Sequence, residues 1–239
     1  MRLMFIRHGD PDYSIDSLTP KGHREAELLS LRLEKEEVAA FYVSPLGRAR
    51  DTARYTLDRI GREATVCDWL REFPARVDKP NRDDSVAWDW LPRDLSLYPD
   101  FFDREKWMYH PTMKKAGVPE KYAYVCDSLD ELLAHHGYER EKSLYRAVRP
   151  NRDTLVFFSH FGLTCVLLSH LINVSPMVLW HGFCAAPTSV TTLYTEERED
   201  GFACFRTAAF GDTSHLYAHG EQPAFSARFC ETFDSDERH

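Results

Sequence analysis

Four stretches of the chain end an apolar run with a side chain that can handle an anion or a proton. Arg7 and His8 follow the run from residue 2 to Ile6, and Ser44 follows Ala39 to Val43 with Arg48 one turn further on. His160 follows Asp153 to Phe158, and Glu72 comes just after Ala64 to Leu70. If the runs are parallel strands, all of these groups reach the carboxyl edge of one sheet, where open α/β sheets bind their ligands. Two guanidiniums and two imidazoles form a fork of donors for a tetrahedral dianion, and phosphate is the natural guest. A histidine between arginines has a depressed pKa and keeps one ring nitrogen unprotonated for in-line attack on phosphorus. A carboxylate at the rim would protonate the departing alkoxide and later take a proton from water.

The elements that must deliver these groups follow a βαβαβ rhythm. Thr19-Pro20 reads as an N-cap and first-turn pair opening a helix to about Glu36, with Ala26, Leu29 and Leu33 on one face. A second helix runs from Gly47, with Ala49, Ala53, Leu57 and Ile60 inward. Ala64 to Leu70 is the third strand. This alternation predicts a three-layer αβα fold on a largely parallel sheet. Between Phe73 and Val125 the texture changes: the stretch holds six of the 13 prolines and three of the five tryptophans, without regular periodicity. So many aromatic residues argue against a disordered linker, so residues 73–125 are expected to form a helical or irregular insertion packed as a cap on a single domain, 1–239. A helix is expected to resume at the capping box Ser128-x-x-Glu131. After the strand ending at Phe158 comes a helix to about Asn173, then a hairpin of Ser189 to Tyr194 and Phe202 to Ala208.

The chain has 239 residues, 43% of them hydrophobic, which suffices for a large α/β domain. Its net charge of −8 is gathered into no tail, which argues against nucleic acid or an anionic membrane as partner. An anionic substrate would therefore need a local cluster of cations. No apolar run approaches the roughly 18 residues of a membrane span, and the first residues lack a signal-peptide core, so the expected location is the cytoplasm. Cys67, Cys126, Cys165, Cys184, Cys204 and Cys230 are scattered with no CxxC pair, and they read as free thiols, mostly in apolar surroundings.

Arg7-His8-Gly9, Leu18-Thr19-x-x-Gly22, Ser44-Pro45-Leu46-x-Arg48-Ala49-x-x-Thr52-Ala53, Glu72 and Ser159-His160 resemble the histidine phosphatase superfamily, the phosphoglycerate mutase-like fold. The resemblance covers roughly residues 1–72 and 150–215. It implies that His8 is phosphorylated in turnover, that Arg7, Arg48 and His160 bind the transferred phosphoryl group, and that Glu72 is the general acid and base. It implies no metal or organic cofactor. The backbone N–H of Phe161 would add an anion-binding dipole. Two departures stand out. Ser14 falls where many relatives carry a phosphate-contacting Asn, and Phe161 falls where the family often has Gly.

Each residue also has a plain reading. His8 alone could be a strand-end histidine satisfied by backbone, Arg48 could pair with Asp51 or Asp12, and Glu72 could face solvent. His215 and His219 have a spacing that could bind metal on a helix, but no HExxH accompanies them, and His215 reads better as a supporting group of the site. The expected function is a phosphomonoester hydrolase acting through phosphohistidine on a small phosphorylated metabolite. The alternatives are a phosphoglycerate-type mutase and a non-catalytic phospho-ligand binding module. An α/β-hydrolase is disfavoured because there is no GxSxG turn. Oligomeric state is left open.

Overall fold

Strand β1 (Arg2–Arg7) places Leu3 and Phe5 on one face and Met4 and Ile6 on the other, and both faces are buried. That is what a central strand with helices above and below requires. The computed structural model describes residues 1–80, 85–224 and 232–234. After β1 come β2 (Pro11–Asp12), β3 (Ser17–Leu18), α1 (Pro20–Leu33), β4 (Ala40–Val43), α2 (Gly47–Ile60) and β5 (Thr65–Val66). The short helices α3 (Pro92–Ser96) and α4 (Pro111–Lys115) precede α5 (Val118–His135), β6 (Tyr138–Glu141) and β7 (Leu144–Ala147). The chain continues through β8 (Thr154–Ser159), α6 (Phe161–Ile172), α7 (Pro176–Gly182), β9 (Val190–Glu199), β10 (Phe202–Asp212) and α8 (Ser214–Tyr217).

Eight strands form one sheet in the order β5-β4-β8-β1-β9-β10-β7-β6. The strands β5, β4, β8 and β1 run parallel, whereas β9, β10, β7 and β6 extend the sheet by antiparallel pairing. Leu29 and Leu33 of α1 and Ala49 and Ala53 of α2 cover one face over Met4, Ile6, Val156 and Phe158. Leu129 and Leu133 of α5 and Leu163 and Leu167 of α6 cover the other over Leu3, Phe5, Leu155 and Phe157. The three-layer α/β architecture is the expected one, and the candidate residues Arg7, His8, Ser44 and His160 lie at the ends of strands in the parallel half.

Several local expectations need correction. Ser128 caps nothing: α5 has already run from Val118, and the Ser128 hydroxyl bonds back to the Tyr124 carbonyl at 2.8 Å. The expected insertion therefore ends in a helix whose Val118, Val125 and Cys126 belong to the main core. The third strand shrinks to Thr65–Val66, followed by a single 3₁₀ turn over Asp68–Leu70. The hairpin β6–β7 had no expectation at all, because Tyr-Glu-Arg-Glu and Leu-Tyr-Arg-Ala carry too little apolar alternation at a sheet edge.

Among the described residues Cys67, Cys126, Cys165, Cys184 and Cys204 are free thiols. Cys184 is exposed, contrary to the apolar surroundings expected for most of them, and Cys230 lies outside the described residues. No helix among the described residues is long and apolar enough to cross a membrane.

Candidate active site

The parallel register aligns the ends of β1, β8 and β4, with Arg7 opposite Ser159 and Val43 opposite Phe158. The residues that follow these strands are therefore brought together. The His8 amide continues the ladder to Ser159 O at 3.0 Å, while the Arg7 amide pairs with Ser189 O at 3.2 Å. The next residue must let the chain turn tightly against α1. A Cβ at Gly9 would lie 2.8 Å from Gly22 O, and one at Gly22 would lie 2.2 Å from Asp10 O, so backbone meets backbone here and neither position accepts a side chain. Thr52, from the second motif, ties the turn to α2 by accepting the Gly9 N–H at 2.9 Å and donating to Arg48 O at 2.7 Å.

His8 is 2% exposed. Its Nδ1 lies 2.7 Å from Gly9 O, and since a carbonyl only accepts, Nδ1 carries the proton and Nε2 keeps its lone pair. Burial, then the charges of Arg7 and Arg48, hold its pKa well below the ordinary 6.5, opposed by the Gly9 bond. His160 occupies the N-cap position of α6, its ring 5.1 Å from that of His8. Burial, His8, Arg48 and Arg7 lower its pKa well below 6.5 too, so it is a neutral imidazole. Ser44 Oγ accepts the Leu46 N–H at 3.3 Å and lies 2.8 Å from His160 Nε2. With Ser44 donating its hydroxyl proton to Nε2, the His160 proton is on Nδ1, which is buried and without a partner among the described residues.

The two arginines are oriented by different means. Arg7 is buried and donates through Nη1 to Ala185 O at 2.6 Å. Arg48 donates through Nη1 to Asp16 Oδ1 at 2.5 Å, and the other oxygen of Asp16 accepts the Gly47 N–H at 2.7 Å. The ring of Tyr13 lies 5.4 Å from the Arg48 guanidinium. Neither Asp51 nor Asp12 is the partner of Arg48: Asp51 pairs with Ser17 and Arg54, and Asp12 with Ser14. Asp16 has a left-handed backbone, φ +48°, and nothing in the sequence marked it out.

Glu72 meets the first turn of α6. Its Oε1 accepts the N–H groups of Phe73 at 2.9 Å and Leu163 at 2.8 Å, and Oε2 faces the Gly162 N–H at 3.4 Å. These bonds and Arg48 stabilise the anion, yet burial outweighs them and raises the carboxyl pKa above the ordinary 4.5. A carboxylic acid that holds its proton longer than usual can donate that proton to a departing oxygen.

The remaining expected residues divide. Phe161 is the first residue of α6, and Glu72 takes the N–H groups of the two residues after it, Gly162 and Leu163. Ser14 is exposed and is not drawn into the site, because its hydroxyl donates to Asp12 Oδ1 at 2.5 Å. His215 is joined to the site indirectly. Its Nε2 lies 3.1 Å from Thr188 Oγ1, which donates to Pro187 O, while the Thr188 N–H donates to His8 O at 3.2 Å. Thr188 is itself left-handed at φ +57°, and a β-branched residue holds that conformation only under constraint. Burial, with Arg32 adding to it, lowers the His215 pKa to about 4. His219 bonds to His215 O, and among the described residues no group of three or more His, Cys, Asp or Glu could hold a metal ion.

One further link was missed by the sequence reading. Glu25, buried in α1, accepts the Asp10 N–H at 3.0 Å and the Ala224 N–H at 2.7 Å. It clips the C-terminal region to the loop after His8.

Fold and geometry together define a class: three-layer α/β proteins that gather histidines and arginines at the carboxyl ends of parallel strands. Residues 3–81 match the sequence profile of the histidine phosphatase superfamily (branch 1). No curated protein matches it. Among solved structures it is similar to phosphoserine phosphatase from Entamoeba histolytica in complex with 3-phosphoglyceric acid, with a TM-score of 0.60 and 20% identity over 90% of this chain and 98% of that one. Mycobacterial glucosyl-3-phosphoglycerate phosphatase has a TM-score of 0.57 and 21% identity over 88% and 98% of the two chains. A Bacillus stearothermophilus protein has a TM-score of 0.55 and 22% identity over 90% and 98%. At such identities the likeness is one of fold.

Proposed function

We propose that the chain is a phosphomonoester hydrolase that works through a phosphohistidine at His8. The observation that carries this reading is the pinned ring of His8: Nδ1–H is committed to Gly9 O, so Nε2 is the unprotonated nucleophile beside Arg7 and Arg48. In the first displacement Nε2 bonds to phosphorus while the bond to the alcohol oxygen breaks, and the Glu72 carboxyl proton goes to that oxygen. In the second, water attacks the phosphohistidine, Glu72 takes its proton, and phosphate leaves with the His8 lone pair restored. Arg7, Arg48 and the Nδ1–H of His160 bind the equatorial oxygens, with the N–H of Phe161 as a further donor. His215 supports the site by holding Thr188 against His8 O. Residues 73–117 act as a cap beside the leaving group.

The substrate is a small phosphorylated molecule. Acid quenching during turnover of phosphorylated metabolites should trap an acid-labile, base-stable phosphoenzyme that disappears in His8→Ala. A label that persists in His8→Ala overturns the assigned nucleophile. With a phosphoglycerate as substrate, free phosphate is the expected product, and an isomerised phosphoglycerate in its place would mean transfer to a second hydroxyl.

A further inference from the structure

Gly162, the second residue of α6, lies between the Glu72 carboxylate and the segment 73–117. A Cβ at Gly162 would be 2.6 Å from Trp88 Cη2, 2.7 Å from Trp88 Cζ3 and 2.8 Å from Glu72 Oε1. The indole and the carboxylate thus border the same atom-sized space. Trp88 is held there firmly. Lys79 Nζ donates to the carbonyls of Trp88 at 2.7 Å and Asp89 at 3.3 Å, and the Trp90 N–H donates to His181 Nε2 at 3.1 Å. The indole packs 5.7 Å from that of Trp180, whose Nε1 donates to Gly162 O at 2.9 Å. Trp88 is only partly buried against this cluster.

An alcohol that receives its proton from Glu72 must bring its ester oxygen to roughly 3 Å from the carboxyl group. Its first carbons then lie against the Trp88 ring. A carboxylate on those carbons would meet an aromatic surface and a second acid, and it would lose its water without gaining a partner. A planar apolar group would instead stack on the indole or meet it edge to face. Among the described residues of this loop, Lys79 directs its ammonium to backbone carbonyls and Arg76 donates to Ser85 Oγ.

We infer that Trp88 is the specificity-determining wall for the leaving group and selects phosphomonoesters of apolar alcohols that carry a planar ring over those with a carboxylate near the ester oxygen. The inference rests on the assignment of Glu72 as proton donor. The test compares 2-phenylethyl phosphate with 3-phosphoglycerate, both esters of primary alcohols. The wild-type chain should favour the first in kcat/KM by about tenfold or more, the scale of one well-filled apolar contact. Trp88→Ala should erase that preference mainly through KM, Trp88→Phe should keep most of it, and Trp88→Lys should turn it toward 3-phosphoglycerate. A wild-type preference for 3-phosphoglycerate, with phosphohistidine forming normally, overturns the inference and leaves the hydrolase reading intact. So does a ratio unchanged in a folded Trp88→Ala. Should no phosphomonoester label His8, both fall; the wild-type ratio decides the matter even if a variant fails to fold.

Discussion

The strand-end cluster around His8 and the segment 73–117 are organised by different physics. In the strand-end cluster, His8, His160, Arg7, Ser44 and Thr52 are buried polar groups, each oriented by a hydrogen bond: His8 to Gly9 O, Arg7 to Ala185 O, Ser44 with His160, and Thr52 from the Gly9 N–H. Across the segment, short turns are joined by rings: Trp90 contacts Tyr98, Phe101 and His110, and Trp107 contacts Tyr122 and Trp180. Hydrogen bonds fix direction, which a nucleophile needs, whereas ring packing fixes volume and surface, which a selective wall needs. The first region should therefore lose catalysis when altered, and the second should lose stability or selectivity.

The largest effect expected is that of His8→Ala, which should drop hydrolysis to background while leaving thermal stability close to wild type, as measured by phosphate release and calorimetry. A large fall in Tm would break the contrast between the regions. Arg48→Ala should lower kcat by about 10²–10³, the usual cost of removing one donor to a developing charge. Trp107, fully buried, is the counterpart in the segment: Trp107→Ala should cost about 3–5 kcal/mol in denaturant unfolding. In that variant the acid-quench signal per folded molecule should survive. Asp16→Ala should be milder, with a rise in KM of about tenfold, because it only loosens the Arg48 guanidinium.

The smallest effect is on pH. His8 must be unprotonated and Glu72 protonated in the first displacement, and their pKa values are shifted down from 6.5 and up from 4.5. Activity should thus peak on the acid side of neutrality. Stability should behave in the opposite sense. A histidine whose folded pKa is depressed binds protons better when unfolded, so His215 contributes stability above 6.5 that is lost as pH falls toward about 4. His215→Gln should flatten that part of the unfolding profile.

The two regions also differed in how far the sequence revealed them. Arg7, His8, Arg48 and His160 were legible because a strand-end position is a local property: an apolar run stops and a charged residue follows. What aims these groups was not. Asp16 holds Arg48 from a two-stranded hairpin of two residues a side, and Thr188 supports His8 O from a loop 180 residues away, through a left-handed threonine with no sequence signature. In the segment, composition announced an aromatic cluster, but ring-to-ring contacts join residues without periodicity, so neither Trp88 nor the early start of α5 could be placed.

The pairing of β1 has one more consequence. It precedes every other strand of this sheet in the chain, yet its neighbours are β8 and β9, about 150 and 190 residues later. During translation the strand that carries the nucleophile has no sheet to join until most of the chain has emerged, and such long-range closure is slow. The order of synthesis and the order of assembly run against each other here: the strand of this sheet that is made before its neighbours is among the last to find its place.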